Sequence, residues 1–322
     1  MNEFELIARH FQRAPRRGDI RVGIGDDAAV VAPASGMEYA FTVDMLVEGR
    51  HFVAGCDPVS LGHKTLAVNL SDLAAMGARP RYALLAGALP DVDEAWIAGF
   101  MRGFDALAAR YDCELVGGDT TRGPRTFCVT AIGDLPAGSA LTRGGARPGD
   151  IVFVSGMIGD AALALAVAAG RTHIGAPRAQ ELRRRLDAPE PRVDVGMALR
   201  GVASSAIDVS DGLTGDLGHI LEASRAGARV DVAAIPCSDV LRAKLESDER
   251  DLALSCLLAG GDDYELCFTA PPAMRARIDG IAASLRVPLT AIGVVTMERG
   301  LVVTDEHGAP LARLPRAFDH FA

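Results

Sequence analysis

The chain has 322 residues, 49% of them hydrophobic and 23% charged, with a net charge of −9. That length suits two domains, each large enough to bury a core of its own. The acidity excludes a general nucleic-acid-binding surface, and aromatic residues at 5% leave core building to Ala, Leu, Val and Ile. The first ten residues carry early acids and no long apolar stretch, so no signal peptide is expected. The longest apolar run, Ala161 to Ala169, is too short to span a bilayer, so no membrane association is expected. Six cysteines (Cys56, Cys113, Cys128, Cys237, Cys256, Cys267) show no CxxC spacing. Most lie in apolar stretches, where a free thiol behaves as a small hydrophobe, and a reducing, cytoplasmic setting follows.

In chain order, Arg21–Val31 and Glu38–Leu46 read as strands, with a Pro33–Gly36 turn between them. A helix is expected next, with Asp57 as its N-cap, Pro58 at its first position, and Gly77 and Pro80 as its stop. Arg81–Leu89 reads as a strand. A second helix opens at Asp91 and Glu94, a capping-box spacing, and runs to about Arg110. Strands near Glu114–Val116 and Thr126–Leu135 complete the first half. Pro136–Asp150, with four glycines and two prolines, reads as a connection, which sets domains at 1–137 and 151–322 with a linker at 138–150. The second half reads as a strand at Ile151–Ser155, an Ala-rich helix from Asp160 to Ala169 and a helical section over 177–202. A strand at Ala206–Val209, a helix from Gly212 to Arg225 and a strand at Arg229–Val232 follow. Further helices precede strands at Glu265–Thr269, Leu289–Val295 and Leu301–Thr304. The interspersed strand pairs predict an α+β chain of two α/β-type domains, with mixed sheets and helices on one face.

Six segments place an aspartate where an apolar run ends or is interrupted. They are Gly-Ile-Gly-Asp-Asp at 23–27, Thr-Val-Asp at 42–44, Asn-Leu-Ser-Asp at 69–72, Gly-Gly-Asp-Thr-Thr at 117–121, Asp-Val-Ser-Asp-Gly at 208–212 and Gly-Gly-Asp-Asp-Tyr-Glu at 260–265. A carboxylate beside an apolar core is costly unless paired or bound to metal, and two carboxylates about 4 Å apart repel by roughly 4 kcal/mol at an effective dielectric near 20. Such a set calls for cations, and magnesium, with its oxygen ligands and retained waters, suits them. Each motif alone also has a plain structural reading as an Asx turn or a helix cap. Asn69 and Asp72 share a helix face, and Asp119 follows two glycines after an apolar strand, where α/β proteins place ligands. Asp211 and Ser210 are both candidate caps for the helix that follows. Gly23-Ile-Gly25-Asp-Asp-Ala28 satisfies a dinucleotide pattern formally, but a strand rather than a helix follows it, and two aspartates stand where phosphate would approach. His51, shortly after the Asp44 strand, is a candidate contact to a substrate phosphate, and Arg143, on the Gly-rich connection, suits a phosphate clamp. No Ser-His-Asp, Cys-His or G-x-S-x-G arrangement is present.

Taken together and in order, these segments resemble the thiamine-monophosphate kinase family, of the superfamily that includes aminoimidazole ribonucleotide synthetase and selenophosphate synthetase. The resemblance also runs through Leu-Val-Glu-Gly-Arg-His-Phe (46–52), Ala-Leu-Thr-Arg (140–143) and the terminal Phe-Asp-His-Phe (318–321), and so covers nearly the whole chain. It implies ATP-dependent phosphorylation of thiamine monophosphate to thiamine diphosphate with several magnesium ions. It further implies an N-terminal domain that dimerises through its sheet and a C-terminal α/β domain covering the active site. By position, Asp27, Thr42, Asp44, Asp72, Asp119, Asp208 and Asp211 resemble the metal ligands. Gly118, Asp119, Arg143 and Ser210 resemble the ATP contacts, and His51, Asp262 and Phe318 the contacts to thiamine. Asp44, Asp119, Asp208 and Arg143 are then the residues expected to carry catalysis. Three positions depart from the family pattern: Val43 lacks the hydroxyl many relatives have, Asp262 is a methylene shorter than Glu, and Phe318 lacks the polar handle of Tyr or Trp.

That chemistry agrees with the residues. The acceptor is itself an ionised phosphate, so no strong general base is needed, and the barrier is repulsion and alignment between two polyanions. Within enzymes the competing reading is an ATP-driven ring closure of an aminoimidazole precursor. Outside them it is a non-catalytic nucleotide or divalent-metal sensor.

Overall fold

The computed structural model describes residues 5, 7–12, 16–24, 28–32 and 34–317. The chain divides into two compact units, residues 1–73 with 78–138, and residues 74–77 with 139–322.

The first unit is built on a four-stranded sheet of order β3-β6-β4-β5, made of β3 (Met37–Val47), β4 (Arg79–Leu89), β5 (Glu114–Arg122) and β6 (Thr126–Pro136). β6 pairs antiparallel with both β3 and β4, whereas β4 and β5 run parallel, joined by helix α2 (Glu94–Arg110). Parallel neighbours require such a crossover. Helix α1 (Pro58–Ala75) links β3 to β4, and the backbone N–H of Ser60 donates to Asp57 Oδ2 at 2.9 Å, the cap its sequence predicts. α2 is capped by Asp93, which accepts from Trp96 N–H at 3.0 Å, not by Asp91. Asp93 stands three residues before the N–H it serves, and that spacing is what a cap requires. Both helices cover one face of the sheet. Phe100 of α2 stacks on Phe127 of β6 with centroids 4.4 Å apart, and Leu73 of α1 lies beside Gly133 on the same face. The expected strand over Arg21–Val31 is instead two short strands, β1 (Ile20–Val22) and β2 (Val30–Val31), paired antiparallel. Gly23 follows β1 directly, and a glycine inside a strand pattern marks an interruption rather than a continuous strand.

The second unit holds a six-stranded sheet of order β12-β9-β11-β7-β10-β8, made of β7 (Ile151–Ser155), β8 (Ser205–Val209), β9 (Gly227–Asp231), β10 (Glu265–Ala270), β11 (Leu289–Thr296) and β12 (Gly300–Thr304). Only β9 and β12 run parallel. Around the sheet lie α3 (Asp160–Ala168), α4 (Ala176–Asp187), α5 (Val193–Leu199), α6 (Leu213–Ser224), α7 (Asp239–Leu245), α8 (Arg250–Ala259) and α9 (Arg275–Leu285). β8 and β10 are buried along their whole length, so this sheet is covered on both faces, not on one. Val152, Val154 and Cys267 join Leu163, Leu217 and Leu257 in the main core. On the other face Phe153 stacks on Phe268 at 5.1 Å, and Arg275 of α9 lies over the Phe153 ring. Unbroken apolar strands are the signature of such two-sided burial. Residues 137–150 carry no regular element. Among the described residues no helix is long and apolar enough to cross a membrane.

Candidate functional site

In the first unit the acidic residues gather where β3 meets α1. Thr42, Asp44 and Leu46 alternate onto the face that α1 covers. Thr42 Oγ1 donates to Asp72 Oδ2, and the backbone N–H of Asp44 donates to Asn69 Oδ1 at 3.1 Å. Asn69 is fully buried, with its amide tied to the Thr65 carbonyl at 3.2 Å. These bonds bring Thr42, Asp44 and Asp72 to one seam. At the end of β3 the chain turns through Glu48 to His51. Glu48 is anchored twice by Arg125, whose carbonyl accepts the Glu48 N–H at 3.0 Å and whose guanidinium pairs with its carboxylate at 3.1 Å. The same guanidinium lies 4.6 Å over the Trp96 ring. The N–H of Val47 donates to His51 Nδ1 at 3.0 Å, which puts the proton of the neutral imidazole on Nε2.

Gly118 and Asp119 lie inside β5, which runs on to Arg122, and not in a turn beyond the strand. Gly118 makes this possible. At φ +153 its backbone approaches β4 so closely that a Cβ would stand 1.9 Å from the Leu85 carbonyl oxygen. Asp119 lines a small cleft of about 40 Å³ with Phe11, Ile24, Leu85, Gly118 and Thr120. Register pairs Asp44 with Val129, Val129 with Leu85, and Leu85 with Gly118. Asp44 and Gly118 therefore sit in one row on the two edge strands, three strand spacings or roughly 14 Å apart across the sheet.

In the second unit Asp208 is buried near the end of β8, and Ser210, Asp211 and Gly212 form the turn into α6. Neither Ser210 nor Asp211 caps that helix. The turn is instead held from inside α6 by Asp216, whose Oδ2 accepts from the N–H groups of Ser210, Asp211 and Gly212, each at 3.1 Å. Burial, and then the neighbouring Asp211 charge, push the Asp216 carboxyl up to about 7 against those three bonds. Asp262 lies on the adjoining loop, where its N–H donates to the Ser210 carbonyl at 2.8 Å. Gly261 at φ +68 permits that approach, since a Cβ there would meet the Ser210 oxygen at 2.3 Å. Asp208, Ser210, Asp211 and Asp262 are thus together. Arg143 is not with them. Its carbonyl accepts from Ser224 Oγ at 3.3 Å at the far end of α6, a helix roughly 18 Å long. Asp27 and Phe318 lie outside the described residues.

Two neighbours of Asp262 have structural work that its motif did not reveal. Asp263 is half-buried and accepts from the Gly159 N–H with both oxygens, at 3.0 and 2.9 Å, and desolvation raises its carboxyl well above the usual range. Glu265 receives Arg192 bidentately at 2.6 and 2.5 Å and the Ser155 hydroxyl at 2.5 Å. Asp216 carried one sequence signal, an acid in the first turns of a helix, but nothing local identified its partners. Among the described residues no three His, Cys, Asp or Glu side chains stand close enough to hold a metal by themselves. The donors at each patch are carboxylates and hydroxyls, a hard oxygen set that fits magnesium and not a thiophilic metal.

Residues 25–135 match the family described as AIR synthase related protein, N-terminal domain, and residues 147–306 match its C-terminal domain. The chain is 46% identical over 322 residues to thiamine-monophosphate kinase of Escherichia coli (strain K12), covering 99% of this chain and 98% of that protein. Among solved structures it resembles thiamine-monophosphate kinase from Stenotrophomonas maltophilia K279a, with 46% identity, a TM-score of 0.87 and coverage of 96% and 98% of the two chains. It also resembles AaThiL complexed with AMPPCP and TMP, with 29% identity, a TM-score of 0.78 and coverage of 90% and 89%. With both halves matched and the likeness running end to end, the chain belongs to the thiamine-monophosphate kinase family.

Proposed function

We propose that the phosphoryl group passes directly and in line from ATP to the phosphate of thiamine monophosphate, assisted by magnesium held at the two acidic patches. The overall activity follows from the family: the chain is a kinase that uses ATP to convert thiamine monophosphate into thiamine diphosphate. The observation that carries the mechanistic reading is the seam of β3 and α1, where Thr42, Asp44 and Asp72 are drawn together by the Thr42–Asp72 and Asp44–Asn69 bonds. Magnesium binds through one or two protein carboxylates together with phosphate and water, so the patches need not be complete cages.

Thr42, Asp44 and Asp72 would hold metal at one edge of the first unit, and Asp119 would hold it at the other. Across roughly 14 Å of sheet these edges serve different ions, which is why several are required. Asp27 adds a further ligand, and Asp208 and Asp211 supply those of the second unit. Bound there, magnesium would neutralise phosphate charge. Gly118, Asp119, Ser210 and Arg143 bind the nucleotide. His51 donates through Nε2–H to the thiamine substrate, Asp262 faces its thiazolium cation, and Phe318 stacks on it. The acceptor phosphate has a second pKa near 6, so it is ionised at neutral pH and none of these groups must remove a proton from it.

The chain divides functionally at 1–137 and 151–322, with 138–150 as the connection. The family matches ending at 135 and resuming at 147 support that division. The first unit dimerises through its sheet. Supporting this, Phe41, Val43 and Met45 are 69, 60 and 54% exposed on the face of β3 that no helix covers, an apolar stripe typical of interfaces. The six free cysteines suit a cytoplasmic setting.

An ADP-release assay tests the substrate, with thiamine monophosphate expected to support turnover and unphosphorylated thiamine not. Incubation with γ-labelled ATP alone tests the mechanism. Acid-stable or acyl-type label on the protein would overturn direct transfer.

A further inference from the structure

The turn carrying Ser210 and Asp211 is gripped at both ends of the Ser210 residue. The Ser210 carbonyl accepts from Asp262 N–H at 2.8 Å, and its N–H goes to Asp216 at 3.1 Å. Asp216, 3% exposed, takes the next two N–H groups on the same oxygen. Three successive N–H groups converging on one point form the concavity that backbone uses to bind anions. Here the chain fills it with its own carboxylate, which points away from solvent and lies beneath the turn.

We propose that Asp216 is a positioning residue for phosphoryl transfer, fixing the Ser210–Gly212 turn so that Asp211 and Ser210 meet the divalent cation and nucleotide in one geometry. This rests on the site reading given above. The anchor is a single oxygen at a fixed distance from the α6 backbone, so side-chain length matters more than charge. Asn places an acceptor oxygen in the same position, whereas Glu moves it by one methylene, about 1.5 Å. Metal–ligand distances tolerate only about 0.2 Å, and the displaced turn cannot present Asp211 unchanged.

The test measures free Mn²⁺ by electron paramagnetic resonance in titrations of the full chain with AMPPCP present, alongside thermal unfolding of each variant. Asp216→Asn is expected to bind Mn²⁺ within about threefold of the unsubstituted chain, and Asp216→Glu at least about tenfold more weakly. The reverse order, with Glu retaining affinity and Asn losing it, would show that charge acts and overturn the proposal. Unchanged Mn²⁺ binding in both variants, with only the melting temperature lowered, would reduce Asp216 to a structural role and overturn it as well. Should Asp216→Glu not fold, Asp216→Ala, which removes the acceptor oxygen, takes its place: a tenfold loss there with Asn within threefold supports the proposal, and unchanged binding in both refutes it. Asp211→Asn separates the levels. Weakened Mn²⁺ binding there with unaffected binding in the Asp216 variants sinks only the positioning role, whereas unaffected binding in Asp211→Asn sinks the site reading and the proposal with it.

Discussion

Gly103→Ala sets two opposing effects against each other. Helices α1 and α2 approach at Gly62 and Gly103, each glycine against the other helix's backbone. A Cβ at Gly103 would stand 1.8 Å from the Val59 carbonyl oxygen, and one at Gly62 would stand 1.9 Å from that of Phe100. Ordinary contact begins at 3.4 Å, so the helices must part by about 1.6 Å, the difference between 3.4 and 1.8. The obstacle is helical backbone and cannot swing aside as a side chain could. Overpacking of this kind costs about 1–3 kcal/mol, and a gap of that width forfeits much of the dispersion contact around it. Against this, Ala gains about 0.8–1 kcal/mol over Gly in helix propensity. The net expectation is a loss of about 2 kcal/mol, or roughly 8 °C in melting temperature for a unit of this size. Trp96 is the single tryptophan and lies on α2, so its fluorescence follows the first unit alone. Turnover should fall too, because α1 carries Asn69 and Asp72 against β3. A melting temperature equal to or above that of the unsubstituted chain would refute the packing argument, since propensity alone would then govern the site.

Asp44→Asn and Asp119→Asn should each lower turnover by about 100-fold or more, the scale of losing one preorganised electrostatic group, while circular dichroism stays unchanged. Near-normal rates in either would count against the metal seam. Arg192→Met strands Glu265, whose side chain is 4% exposed, and should cost about 3–5 kcal/mol. The double variant with Glu265→Gln should recover most of that in thermal unfolding, and a neutral single variant would contradict the pairing. Desolvation holds the Asp263 carboxyl well above the ordinary carboxylate range, so the unfolded chain releases this proton first. Its contribution to stability is present below about pH 4 and is lost as pH rises toward the folded pKa. Asp263→Asn, neutral throughout, should therefore gain melting temperature over the unsubstituted chain progressively from about pH 4 upward. Parallel melting curves across that range would show that the buried carboxyl does not titrate in this way.

Periodicity made the elements legible, because strands such as Met37–Val47 and Ile151–Ser155 are bounded by turn residues and helices such as Pro58–Ala75 announce their caps. It failed where a local signal was overruled from a distance. β5 continues through two glycines because β4 supplies a pairing partner along its whole length, and a single-sequence reading stops a strand at such a pair. The chain from Arg21 to Val31 looked continuous, but hydrogen bonding between its two ends folds it on itself. The two-sided burial of the second sheet was written in its unbroken apolar strands, yet the antiparallel spacing argued for a half-open sheet.

The acids divide in a way that no motif expresses. Asp57 and Asp93 cap helices, and their partners lie three residues away, so sequence could find them. Asp263 answers to Gly159 and Glu265 to Arg192, 104 and 73 residues distant, and both stand in the same short motif as Asp262. Proximity in sequence therefore says little about shared duty: within four residues, two acids are spent on holding the loop and Asp262 takes no part in those bonds. The same holds across the first sheet, where Asp44 and Asp119 occupy opposite edges. A reaction between two phosphates develops charge at donor, acceptor and the atom in transit, and one concentrated cluster of carboxylates would repel that charge before neutralising it. Under the proposed function, spreading the carboxylates along edges and turns would let separate cations offset phosphate charge at separate places. An aspartate-rich chain with a net charge of −9 can then receive two polyanions.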